Sequence, residues 1–81
     1  MIHLIVANDM EQGEEVVEKM KLNTEDCAVL NQPHYFDHVE FKRGETVYTH
    51  KHTSHKLIKY LRKAVALSEH AQTITIETVK P

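Results

Sequence analysis

Three histidines, His50, His52 and His55, fall within six residues in the run Thr49-His50-Lys51-His52-Thr53-Ser54-His55-Lys56. Imidazole titrates near neutrality and is the commonest metal ligand, so such a run invites a chemical reading. His50 and His52 are one residue apart and share a face if the chain there is extended. With Asp9 donated by a neighbouring strand they would offer two imidazoles, a carboxylate and an open position, a set that suits a divalent metal such as zinc. The spacing His-x-His-x-x-His lacks the i, i+4 helical pair of the metalloproteases, and there is no second cysteine to join Cys27. His3, His34, His38 and His70 are scattered through the rest of the chain. A surface cluster without a ligand is therefore the plainer explanation, and no cofactor is expected, with zinc at Asp9, His50 and His52 as the alternative.

The same run carries a second chemistry. Lys51 and Lys56 flank Thr53, Ser54 and His55 where a helix begins, and helix N-terminal amides favour an anion. Asn8 and Asp9 close the first apolar run. Together Asn8, Asp9, Lys51, Thr53, Ser54 and His55 would form a site for a phosphate or nucleotide. Neither Gly-x-Gly-x-x-Gly nor Gly-x-x-x-x-Gly-Lys-Ser/Thr is present, which excludes a dinucleotide or P-loop site of standard form. Ser54 stands beside His52 and His55, but neighbours on a first helical turn point apart and helix capping already accounts for the hydroxyl. No catalytic residue is assigned.

The elements that must position these residues alternate along the chain. Residues 2–7 form an apolar run of central-strand type ended by Asn8-Asp9. Asp9 is a good N-cap, Gln12 completes a capping-box pattern, and Met10, Val16, Val17 and Met20 mark the apolar stripe of a first helix whose Glu11, Glu14 and Glu15 suit its positive end. Cys27–Leu30 reads as a second strand and Thr46–Thr49 as a third. Between them, Phe36, Val39 and Phe41 either anchor an irregular crossover or belong to a hairpin in which residues 39–41 pair with 46–48. A second helix spans about residues 54–68, with Leu57, Ile58, Leu61, Ala64 and Val65, and either Tyr60 or Leu67, reaching the core. The alternation in residues 73–79 marks an edge strand with one wetter face.

Two crossover units in one chain favour a single Rossmann-like α/β domain over residues 1–81, three-layered, with a four-stranded parallel sheet in the order 2-1-3-4 and two main helices. The rival is a ferredoxin-like α+β sheet. In the parallel arrangement strands 1 and 3 lie side by side while their helices leave toward opposite faces, and ligands in such sheets collect at that switch point.

Eighty-one residues support a core near the lower limit for unaided folding, so dimerisation would help. Cys27 lies in an apolar run and reads as a buried thiol. The opening Met1–Ala7 has no basic leader and is too short to span a bilayer, which predicts no membrane association and a cytoplasmic location. Residues 1–40 hold nine carboxylates against two lysines, a net −7, while residues 41–81 hold eight cations against three carboxylates, a net +5. Such a split steers a charged partner or favours head-to-tail self-association, although two solvated helix faces produce the same imbalance. Lys56, Lys59, Arg62 and Lys63 with Tyr60 make a basic face, but the chain as a whole is not basic, which argues against nucleic acid.

The pattern Ile2-His3-Leu4-Ile5-Val6-Ala7-Asn8, a helix, Leu22-Asn23, a short strand, and Arg43-Gly44-Glu45-Thr46-Val47-Tyr48 before a helix carrying Tyr60-Leu61-Arg62 resembles the small Rossmann-like accessory proteins of bacteriophages. The resemblance implies the fold and a viral origin, hence the host cytoplasm. The expectation that follows is a small non-enzymatic interaction or regulatory module acting on a protein partner, a host protein if the chain is viral. A phosphate, nucleotide or metal-binding protein using the histidine run is the alternative.

Overall fold

The computed structural model describes residues 2–81; Met1, at the head of the opening run, lies outside them. Strand β1 (His3–Val6) leads into helix α1 (Met10–Met20), strand β2 (Cys27–Leu30), a 3-10 turn over Pro33–His38, strand β3 (Thr46–His50), helix α2 (His55–Ala66) and strand β4 (Thr75–Val79). All four strands are parallel, in the order β2-β1-β3-β4. Ile5 stands between Val29 and Tyr48, and Val6 between Leu30 and Thr49. The parallel reading of the sequence therefore holds, and the ferredoxin-like rival does not.

Side-chain alternation along β1 divides the core. Leu4 and Val6 join Val47, Leu57, Leu61 and Val65 beneath α2, together with Phe36 and Phe41 of the crossover. Ile5 and Ala7 turn the other way, to Val16 of α1 and Val79 of β4. α1 and α2 thus cover opposite faces of one sheet. Burying each of Leu57, Leu61 and Val65 contributes about 1.5–3 kcal/mol.

Glycine sets how closely α1 sits. A Cβ at Gly13 would lie 2.7 Å from Val29 Cγ2 and 3.0 Å from Cγ1, so only a residue without a side chain lets the helix reach β2 at this depth. Lys21 ends α1 in the left-handed region, φ 55°, where glycine is the usual occupant.

Of the two readings of the crossover the irregular one holds, since Phe36 and Phe41 are buried and residues 39–41 do not pair with β3. Other local expectations are corrected. Met10 is exposed as the first residue of α1, whose buried residues begin only at Gly13. Tyr60 and Leu67 are also exposed, at 40 % and 79 %, since Leu57, Leu61 and Val65 already fill the i, i+4, i+8 stripe facing the sheet. The last strand begins at Thr75, after a 3-10 turn over Ala71–Thr73. Cys27 is half-buried at the start of β2, with its thiol donating to the Asn23 carbonyl at 3.2 Å. Partial burial, and then the neighbouring Asp26 carboxylate, push that thiol above the ordinary cysteine range.

Candidate functional site

The ends of β1 and β3 meet as the parallel order requires, with Val6 beside Thr49. The loop that leaves β3 is then stitched to the exit of β1. Asn8 Nδ2 donates to the His52 carbonyl at 2.7 Å, and Asn8 Oδ1 accepts from the Ser54 amide at 2.8 Å. Thr53 Oγ1 donates to the Val6 carbonyl at 2.9 Å and accepts from the His50 amide at 3.0 Å. Two side chains thereby satisfy backbone groups that parallel strands leave open where they part.

The adjoining helix starts draw on the same residues. Asp9 Oδ1 accepts from the Gln12 amide at 2.8 Å, while Gln12 Oε1 accepts from the Asn8 amide at 3.0 Å. The capping box is therefore reciprocal one residue earlier than its standard form, in which Gln12 would reach the amide of Asp9 itself. Ser54 Oγ accepts from the Leu57 amide at 3.3 Å and caps α2.

His50 lies on the other side of the loop. Residues alternate along β3, so Val47 and Thr49 share one face while Tyr48 and His50 turn toward α1. The His50 side chain is only 2 % exposed, and its Nε2 pairs with the Glu15 carboxylate of α1, itself 47 % exposed. His50 Nδ1 accepts from the His52 amide at 3.0 Å. An acceptor at Nδ1 places the ring proton of the neutral imidazole on Nε2, where it donates to Glu15. His52 holds both halves of the crest together, its amide on His50 and its carbonyl on Asn8. An open cleft of about 540 Å³ runs beside this pair, lined by Glu15, Glu18, Lys19, His50, Lys51 and His52.

The expected residues thus fall into two groups. Asn8, Asp9, Thr53 and Ser54 come together at the crest, each with at least one polar side-chain atom engaged by the chain itself. Lys51 and His55 lie at the same rim with exposed side chains. The histidine run is not uniformly a surface cluster, since His50 is buried while His52 and His55 are exposed. Asp9, His50 and His52 are not gathered around a common point. Among the described residues no three His, Cys, Asp or Glu side chains form a metal-holding group. A metal on His50 Nε2 would need the ring proton on Nδ1, which faces an N–H, so the 51–52 loop would have to let go first.

Glu15 is the residue that sequence reasoning missed, having been assigned to the favourable charge at the start of α1. The signal was the parity of β3. Once the sheet order is taken as 2-1-3-4, an extended strand with Val47 beneath α2 must turn His50 toward α1, and a buried imidazole there needs a partner from that helix.

A second feature lies away from the crest. Between the C-terminal half of α2 and the crossover runs a groove of about 730 Å³. Phe36, Phe41 and Ala64 floor it, and Tyr60, Lys63 and Leu67 form its α2 wall. Lys42 and Arg43 line it as well, together with Asp37, Glu40 and Glu69.

The fold and crest define a small doubly wound parallel α/β domain whose switch point is closed by its own side chains. Compared with protein family models, curated proteins and solved structures, the chain has no match. No helix among the described residues is long and apolar enough to cross a membrane.

Proposed function

We propose that the protein is a small non-enzymatic interaction or regulatory module that acts on a protein partner in the cytoplasm, a host protein if the chain is of phage origin. The observation that carries this reading is the groove beside α2. It presents Tyr60 and Leu67 to solvent over a floor of Phe36 and Phe41, while the polar groups at the switch point are engaged internally. Exposed aromatic and aliphatic residues over an apolar depression are what a partner's side chains dock against.

Affinity capture from host lysate, with the wild-type chain compared to Tyr60→Ser/Leu67→Ser, tests the reading. Both residues are exposed, so the variant keeps its fold. A stoichiometric partner retained by the wild type and lost by the variant supports the proposal. Failure to recover a partner, or equal recovery by both chains, overturns it.

A second reading, a phosphate, nucleotide or metal site, draws on the exposed Lys51 and His55 at the start of α2. Thermal shift against inorganic phosphate, nucleotides and zinc checks it, since a ligand at 100 times its Kd adds about 2.7 kcal/mol. No shift with any of the three removes it.

A further inference from the structure

The charge imbalance takes a definite form on the folded molecule. The exposed side of α1 carries Glu11, Glu14 and Glu18, with Glu15 at its flank paired to His50 and Lys19 the only cation of the helix. α2 carries Lys56, Lys59, Arg62 and Lys63, all exposed, and no carboxylate between His55 and Ala66. Among the described residues no lysine or arginine lies within ion-pair distance of a carboxylate; the two charged contacts are His50 with Glu15 and His70 with Glu69. The two stripes cannot satisfy each other within one molecule, because α1 and α2 lie on opposite faces of the sheet.

The stripes also match in spacing. At 100° per residue, Met10, Glu14 and Glu18 advance slowly around the outer side of α1, and Leu67, Lys63 and Lys59 do the same on α2. Leu67 continues the helical backbone as the C-cap of α2. If the two helices run antiparallel, one register sets Met10 against Leu67, Glu14 against Lys63 and Glu18 against Lys59. Met10 and Leu67 are exposed large apolar residues, 56 % and 79 %, so the register closes an apolar contact at one end of a charged seam.

We propose that this chain self-associates head to tail, the acidic outer face of α1 on one copy seating antiparallel on the basic outer face of α2 on the next. The contact is heterologous. Each associated pair keeps one free α1 face and one free α2 face, so assembly proceeds past a dimer into a ring or an open string. Binding is carried by surface charge with one apolar contact, which makes it weak, concentration-dependent and sensitive to salt. It goes beyond the partner-binding reading and does not depend on it, because a strictly monomeric chain would leave capture of a partner by the groove untouched.

Sedimentation velocity across a concentration series at low ionic strength tests the assembly. The wild type is expected to show species larger than one chain that collapse to monomer at about 1 M salt, where the Debye length is about 3 Å. Glu14→Lys/Glu18→Lys and Lys59→Glu/Lys63→Glu should each be monomeric at low salt with unchanged circular dichroism. Mixed one to one, the two variants should associate again, because the reversed face of each complements the reversed face of the other. A wild type that stays monomeric at every concentration overturns the proposal. So do variants that still assemble alone, or a mixture that fails to recover.

Discussion

The crest at the ends of β1 and β3 and the groove beside α2 both carry polar side chains, yet they differ in how far those groups are satisfied. At the crest, Asn8, Thr53 and His50 each make two hydrogen bonds to groups from another part of the chain or from the loop they pin. At the groove, Lys42, Arg43 and Lys63 have no carboxylate partner and Leu67 is bare. A region whose polar groups are internally paired contributes stability, because removing one partner strands the other. A region left unpaired contributes little to folding and is available for recognition. The comparison teaches where function is to be sought: the histidine run, though the most conspicuous feature of the sequence, sits largely in the region that holds the fold.

The largest effect should come from His50→Ala. It leaves a void at a buried site and removes the partner of Glu15 and of the His52 amide, so a loss of about 3 kcal/mol is expected in urea unfolding. A loss below about 0.5 kcal/mol, the size of an ordinary surface change, would show that the crest is not structural. Thr53→Val keeps the shape and deletes the hydroxyl that joins the Val6 carbonyl to the His50 amide; a loss of about 1–3 kcal/mol is expected. If Thr53→Val unfolds at the wild-type midpoint, water replaces the hydroxyl and the stitching argument fails there.

Gly13→Ala sharpens the contrast from the helix side. Alanine improves helix propensity by about 1 kcal/mol, but the added methyl meets Val29 at 2.7 Å against a β-branched side chain with few alternative rotamers. The clash should win, giving a net loss of about 1 kcal/mol; a gain in stability would mean that α1 rides out freely. In the groove, Leu67→Ser should change stability by less than about 0.5 kcal/mol. A larger loss would make Leu67 part of the core rather than part of a recognition surface.

The smallest effect concerns Cys27. Its thiol is held above the ordinary range by partial burial and by Asp26, so the thiolate appears only at higher pH than in a free cysteine. Alkylation of the native chain should lag that of the urea-unfolded chain near neutral pH and approach it as the pH rises. Equal rates at neutral pH would refute the assignment.

Much of the architecture could be read from residue order. The apolar runs at residues 2–7 and 27–30, the helical stripe through Leu57, Leu61 and Val65, and the cap residues Asp9 and Ser54 are local signals of burial and of chain direction, and the strand order followed from two crossovers. The meeting of Asn8 with the 52–54 loop was legible too, as a consequence of that order. What those residues do on meeting was not, because a side chain that could hold a ligand can equally hold a backbone amide, and only the positions of both decide.

Periodicity and composition thus determined, without any structure, most of the core, which way the strands run and that one half of the chain is acidic and the other basic. The tertiary structure alone decided that Glu15 and His50, 35 residues apart, would pair, and that Tyr60 and Leu67 would border an open groove. It alone decided that the two charge stripes would face away from each other. The reason is that hydrophobic spacing reports burial one element at a time, whereas a hydrogen-bond partner or an unpaired face depends on register between elements, which no single segment encodes.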